Sequence, residues 1–175
     1  MDRRALLAAG AALLVVTATG CGDSHPSPPA PPAASKLMVT STAFTDGGVI
    51  PAEFTCAGAG HRPPLRWSGA TAPAYAIVVL DPDAPGGDYY HWVVVDLPES
   101  ATEAGDTLPS PARQLDNSAG HPEWTPPCPP SGTHHYQFTV YALSESTNAT
   151  SVGDAFDAIT KTTTAQGTLT GIVTH

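Results

Sequence analysis

The chain has 175 residues, 41% hydrophobic, 7% aromatic and 13% charged, a composition that fits one globular domain and not a disordered tail or a multidomain assembly. Seven Lys and Arg against sixteen Asp and Glu give a net charge of -9, a field that repels phosphate backbones and argues against a nucleic-acid partner. With 19 Pro and 16 Gly and little amphipathic periodicity, a helical bundle or coiled coil is disfavoured as well.

Met1-Asp2-Arg3-Arg4 forms a basic start and Ala5 to Thr19 an uncharged apolar run, the make-up of an export signal too short to span a bilayer comfortably. The run ends at Ala18-Thr19-Gly20-Cys21, which resembles the lipobox of bacterial lipoproteins, with Ala18 where Leu is commoner. That resemblance implies cleavage before Cys21 and two acyl chains on it, each buried CH₂ contributing about 0.8 kcal/mol of membrane affinity. A secretory signal cleaved without lipidation and a retained anchor are the alternatives. The expected organisation is therefore a signal peptide over 1–20, a tether over 21–35 and a folded domain over 36–175, held by lipid at the extracytoplasmic side of a bacterial envelope. Asp23 to Ser35 contains five prolines and should act as an extended spacer of about 3 Å per residue.

Beyond Cys21 the chain holds Cys56 and Cys128, an even pair in an exported protein, for which a disulfide is the expectation. A metal-binding or catalytic role for these thiols is the alternative, and neither sits in a C-x-x-C pair.

Strands are predicted at Leu37 to Phe44, Tyr75 to Asp81, His91 to Leu97, His135 to Leu143 and Thr168 to Thr174, where β-branched and aromatic residues lie between Pro and Gly punctuation. One helix is predicted over Val152 to Ala165, weakened by Thr162-Thr163-Thr164. The fold class that follows is mainly all-β, a two-sheet antiparallel sandwich with one or two short helices. Pro98 to Gly132 reads as a long loop with eight prolines, and a loop of that length in a compact domain is usually functional or disordered. Trp67, Trp92, Phe138 and Tyr141 read as core. Asn148-Ala149-Thr150 matches a glycosylation acceptor, discounted because the leader looks bacterial.

Alternation places the polar candidates. Ile77, Val79 and Asp81 share one strand face, and the extended backbone before Pro82 should keep Asp83 on the same side. In the next strand His91, Val93, Val95 and Leu97 are expected on one face, with Trp92, Val94 and Asp96 on the other. After the long loop, His134, Tyr136, Phe138, Val140 and Ala142 line one side, and His135, Gln137, Thr139, Tyr141 and Leu143 the other.

The ordered set Asp81-Pro82-Asp83-Ala84-Pro85, His91-Trp92-Val93-Val94, Pro126-Pro127-Cys128-Pro129-Pro130-Ser131-Gly132 and His134-His135-Tyr136 resembles the phosphatidylethanolamine-binding protein family, also called Raf kinase inhibitor-like proteins. Ser41-Thr42-Ala43-Phe44, Ile50-Pro51, Thr55-Cys56, Pro63-Pro64-Leu65-Arg66-Trp67-Ser68 and Leu169-Thr170-Gly171 extend the likeness over essentially the whole domain. The resemblance implies a β-sandwich with a small anion pocket at one end, comprising Asp81, Asp83, His91, His134, Tyr136 and the Pro129-Pro130 loop. It implies binding of phosphate, acetate or phosphorylated head groups, with no cofactor, no catalytic residue and no metal. Two positions depart from the usual pattern. His135 stands where the family has Arg, and Glu123-Trp124-Thr125-Pro126-Pro127 replaces a Tyr-Gly-Gly-Pro-like loop.

An anion beside two carboxylates is repelled unless a histidine is protonated, a carboxyl is neutral, or N–H groups and the Tyr136 hydroxyl donate. Occupancy is therefore expected to rise at mildly acidic pH. Two other function classes stay open: a metal-dependent hydrolase using the Asp and His residues, and an inhibitor of an envelope protease or kinase-like protein, which would require a protein partner.

Overall fold

The computed structural model describes residues 35–175, so the leader, Cys21 and the tether up to residue 34 lie outside the described residues. In chain order the elements are β1 (Ser35–Lys36), β2 (Met38–Thr40), β3 (Gly48–Val49), a 3-10 turn (Ala52–Phe54), β4 (Leu65–Ser68), β5 (Ala74–Asp81), β6 (Tyr89–Pro98), β7 (Glu103–Ala104), β8 (Arg113–Leu115), β9 (Thr133–Leu143), α1 (Val152–Thr162) and β10 (Thr163–Thr174). A seven-stranded sheet has the order β1-β10-β9-β5-β6-β8 with β3 also paired to β10, and a three-stranded sheet has the order β2-β4-β7. Pairing is antiparallel apart from the short contacts of β1 and β3 with β10.

Two apolar layers hold these elements together. Between the sheets, Leu37, Val39, Leu65 and Trp67 meet Ile77, Val79, Trp92, Val94, Tyr136, Phe138, Val140 and Leu169. On the outer face of the large sheet, Val78, Leu80, Val93, Val95, Tyr141 and Leu143 pack under Ala155, Phe156 and Ile159 of α1. Burial on both faces explains why every residue of β5 is inaccessible and why Ala76 to Leu80 reads as an unbroken apolar run. Burying Phe156 and Ile159 contributes about 2 kcal/mol each, enough to fix a helix too short to form alone. Ser151 caps it, accepting from the Asp154 N–H at 3.2 Å and donating to Asp154 Oδ2 at 2.8 Å. The helix stops at Thr162, short of the predicted Ala165, because Thr163 already enters β10, as the β-branched run foreshadows.

Strand boundaries depart from the sequence reading most clearly in four places, besides the short β1 and β3, which the sequence does not predict, and slightly earlier starts of β5, β6 and β9. The predicted strand Leu37 to Phe44 pairs only over Met38–Thr40, because the chain then turns, with Ser41 Oγ donating to the Pro64 carbonyl and accepting from the Ala43 N–H. β10 starts at Thr163, five residues before the predicted Thr168. β4 forms on Leu65-Arg66-Trp67-Ser68, where no strand is predicted. The long loop from Pro98 to Gly132 contains β7 and β8, two and three residues long, too short for periodicity to reveal.

The face assignment of β6 also needs correction. Val79 pairs with Trp92 and Leu80 with Tyr90, so His91 is an inserted bulge residue; a second irregularity lies where Tyr75 pairs with Leu97 and Ile77 with Val94. Each bulge shifts the alternation by one. His91 consequently shares the face of Trp92, and Leu97 joins Trp92 and Val94 in the inter-sheet core, away from Val93 and Val95.

Candidate functional site

A cavity of about 250 Å³ opens at one end of the large sheet. Four elements build it: Asp81 at the end of β5 with Ala84 and Pro85 beyond, Tyr89 and His91 of β6, His134 and Tyr136 of β9, and Thr125, Pro126, Cys128 and Pro130 of the loop before β9. A wider groove of about 430 Å³ runs along residues 100–109, but its one charged side chain, Glu103, is paired with Arg66 at 2.8 Å.

The polar floor is closely organised. His134 Nδ1 lies 2.7 Å from Asp81 Oδ2, with both side chains buried. His91 Nδ1 lies 2.7 Å from the Thr125 carbonyl oxygen, and the Thr125 N–H donates to the His91 carbonyl at 3.0 Å. Carbonyl and carboxylate oxygens only accept, so both imidazoles carry a proton on Nδ1. The His91 ring stands edge-on to Tyr136 at 5.1 Å and close to Tyr89 at 4.8 Å. Tyr136 is fully buried, and its hydroxyl lies near Asp81 and the Cys128 backbone without forming a well-made hydrogen bond to either. Such a poorly satisfied hydroxyl costs free energy and marks a place where a ligand atom can complete the network.

Electrostatics follow from burial. Desolvation lowers the His91 pKa and outweighs the opposing pull of the Thr125 carbonyl and of Asp81, so the ring is neutral near neutral pH. Desolvation, with Asp81 nearby, pushes the Tyr136 pKa up, keeping its hydroxyl protonated as a donor.

The cavity wall hangs on a loop that has no strand or helix between Leu115 and Thr133. Buried Asn117 donates to the Glu123 carbonyl and to Thr125 Oγ1, both at 2.8 Å. The Cys56–Cys128 disulfide crosses to the loop, and the Cys56 N–H donates to the Pro127 carbonyl at 3.0 Å. Trp124 Nε1 donates to the Gly60 carbonyl. From the far side, the His175 N–H donates to the Gly132 carbonyl and its Nδ1 lies 3.1 Å from the Pro129 carbonyl.

The sequence model described as phosphatidylethanolamine-binding protein matches residues 40–174. The chain belongs to the phosphatidylethanolamine-binding protein family. A Mycobacterium tuberculosis protein named "Putative lipoprotein LppC" is 40% identical over 98% of this chain and 96% of its own. Among solved structures, E. coli YbcL, described as a new member of the mammalian family, superimposes with a TM-score of 0.75 at 29% identity, covering 81% of this chain and 99% of that one. A family homologue from Chlamydia trachomatis, CT736, gives a TM-score of 0.74 at 30% identity over 81% and 99% of the two chains.

Within this family member the structure brings Asp81, His91, His134 and Tyr136 together around one cavity and leaves two of the expected residues outside its lining. Asp83 turns outward, where its Oδ2 accepts from the His135 N–H at 2.8 Å and from His135 Nδ1 at 2.7 Å, while its N–H donates to Asp81 Oδ1 at 2.9 Å. The turn itself is capped by Asp81, whose Oδ1 accepts from the Asp83 N–H, a role Asp-Pro-Asp plays often. Pro129 is buried behind the wall, and Pro130 supplies the lining. Tyr89, Thr125 and Cys128 were not among the residues expected there. Two spacings pointed to them: Tyr89 lies two residues before His91, and Cys128 adjoins Pro129-Pro130.

Proposed function

We propose that this chain is an exported, lipid-anchored binding protein whose cavity takes a small anion of the phosphate or phospholipid head-group kind. The observation that carries the reading is the convergence on one cavity of the buried Tyr136 hydroxyl, which makes no well-formed hydrogen bond, with His91 and the Asp81–His134 pair. A ligand oxygen placed there would accept from Tyr136 and from a protonated imidazole. Family membership and the name of the mycobacterial relative support binding and membrane attachment through Cys21.

NMR titration of the purified chain with phosphate, acetate and phosphoethanolamine tests this reading. Shifts clustered at His91, His134 and Tyr136, lost in Tyr136→Phe and His91→Ala, are the expected result. Silence from all three anions at both about pH 6 and about pH 7.5, on either side of the ordinary histidine pKa, would sink it.

A further inference from the structure

The chain enters its large sheet at the end that lacks the cavity. Ser35 pairs with Ala165 and Lys36 with Gln166, and the Leu37 N–H donates to the Gln166 carbonyl at 2.8 Å, so the tether joins beside the start of β10. His134 and Tyr136 of the cavity pair with Val173 and Gly171 near the finish of the same strand. Asp81, which closes β5, and His91, near the start of β6, lie at that end too. From Ala165 to Val173 the strand advances eight residues, about 26 Å at roughly 3.3 Å each.

Residues 21–34 make a spacer rich in proline, with a reach of about 42 Å at about 3 Å per residue. Length alone therefore lets an anchored domain stand on a bilayer or lie back across it. Charge separates the two poses. Lys36 and Lys161 are the lysines of the chain, both exposed and neither ion-paired with a described residue. Lys36 directly follows the tether's entry, and Lys161 lies in the last turn of α1, four residues before Ala165. The described arginines are engaged elsewhere: Arg66 with Glu103, Arg113 with Asp96, and Arg62 with the Gly105 carbonyl and the Trp92 ring. Glu99, just past β6, and Glu145, just past β9, share the lysine end and leave it near neutral. At the opposite end no Lys or Arg lines the cavity. Asp81 and Asp83 face His134 and His135 there, and Asp88 and Glu123 have no cationic partner among the described residues. A leaflet containing anionic lipid attracts exposed lysines and repels carboxylates within a screening length of about 10 Å at 0.1 M salt.

Resting on the reading of Cys21 as the lipidated anchor, we propose that on an anionic leaflet the domain stands with Lys36 and Lys161 toward the lipid and its cavity toward the aqueous compartment. The cavity then loads from the aqueous side and not from the leaflet that holds its own anchor.

Energy transfer from the domain to the bilayer surface tests this on the lipidated full-length chain in vesicles of phosphatidylglycerol and phosphatidylcholine. Cys56 and Cys128 are bonded to each other and Cys21 is acylated in this reading, so one introduced thiol can be labelled alone. Ser146→Cys places a donor dye in the exposed turn after β9, at the lysine end. Gly86→Cys places it in the exposed turn beside the cavity, where an added Cβ meets nothing within 4 Å. With an acceptor dye on the lipid head groups, transfer should be roughly twofold or more higher from position 146 than from position 86, given the separation of about 26 Å along the sheet. Lys36→Glu combined with Lys161→Glu should shrink that difference, as should salt at about 1 M, where the screening length is about 3 Å. Phosphate affinity of the native lipidated chain should agree within about twofold between vesicles and detergent micelles.

Equal or greater transfer from position 86 would overturn the orientation. A difference that ignores both the lysine changes and the salt would overturn its electrostatic origin. Phosphate binding retained in micelles but lost on vesicles would show a mouth covered by lipid and overturn aqueous loading. Mass spectrometry finding Cys21 without acyl chains would overturn the anchor reading and the orientation together. Absence of phosphate binding in both media, with the transfer difference intact, would overturn the anion reading alone.

Discussion

Strand β6 carries a bulge near each end, and a buried aspartate accompanies each bulge, yet the two ends are built for different purposes. At one end Asp96 itself adopts a φ of 58°. Its Oδ1 accepts from the Thr147 N–H at 2.7 Å, Thr147 Oγ1 at 3.0 Å and the Asn148 N–H at 3.3 Å, and its Oδ2 accepts from Arg113 at 2.6 Å. Burial alone would raise this carboxyl, but these hydrogen bonds together hold it below the usual carboxylate range. At the other end the bulge brings His91 to the cavity that Asp81 also lines, and the network stops short: the two Nε2 atoms have no protein partner and the Tyr136 hydroxyl, near Asp81, makes no well-formed hydrogen bond. A buried carboxylate is thus no sign of a site in itself. What separates the two ends is whether the protein completes the hydrogen bonding or leaves it to a ligand.

The two ends also pin their loops differently, which orders the expected effects. At the cavity end the wall loop is held by a covalent bond, and the double change Cys56→Ser with Cys128→Ser should cost about 4 kcal/mol in the chain-entropy account, given the separation of 72 residues. Denaturant unfolding measures it, and anion affinity should fall too because the cavity wall is released. Unchanged affinity would show that the noncovalent contacts made by Asn117, Trp124, His91 and His175 suffice to hold the wall. At the far end Asp96→Asn keeps a residue that tolerates positive φ but sets an amide against Arg113. Because Arg113 is 41% exposed, the expected loss is about 2 kcal/mol, less than for a fully buried pair. The sign of its pH dependence follows from the lowered carboxyl. The stabilisation is present above the unfolded-state value of about 4 and disappears as pH falls through the folded value. Native protein should therefore lose stability more steeply than Asp96→Asn below about pH 4, with anion binding at neutral pH equal in both.

How far such contrasts could be read from sequence depends on regularity. The face of β9 was legible because Tyr136, Phe138, Val140 and Ala142 alternate without interruption and all reach the inter-sheet core. Asp81 was legible for the same reason, through Ile77 and Val79. The face of His91 was not, since period-two counting assumes a continuous ladder, and nothing in Tyr89-Tyr90-His91-Trp92 signals that one residue is extra. Nor could alternation show Asp83 turning outward, because after Pro82 its direction is set by the hydrogen bonds to His135 and not by the strand. Pro129 and Pro130 exchange places for a similar reason: in a loop without repeating geometry, which of two neighbours faces the cavity is decided by long-range contacts, here those of His175 and the disulfide.

The unfinished network at the cavity end makes a distinctive prediction for stability. Tyr136→Phe removes a buried hydroxyl that makes no well-formed hydrogen bond, so the ligand-free protein should be unchanged or up to about 1 kcal/mol more stable, while phosphate affinity should fall roughly tenfold, equivalent to about 1.4 kcal/mol. Thermal unfolding with and without phosphate reads both. A clear loss of ligand-free stability would mean that the hydroxyl is engaged by the protein after all, and the contrast with Asp96 would collapse.

The smallest effect is expected at Asp83, which sits beside the cavity in sequence but not in its lining. The His135 hydrogen bonds lower its carboxyl pKa, so any stabilisation exists above the unfolded-state value and is lost as pH falls through the folded one. With the two side chains 40% and 49% exposed, solvent screening limits that contribution to below about 0.5 kcal/mol. Asp83→Asn should accordingly shift the melting temperature little, and less still at high salt, and should leave phosphate affinity within about twofold of native. Asp81→Asn should behave differently, since it removes the charge that fixes the His134 tautomer inside the cavity. If Asp83→Asn weakens binding as much as Asp81→Asn does, the outward carboxylate acts on the ligand through the His135 backbone, and the boundary of the site moves one strand turn beyond the cavity wall.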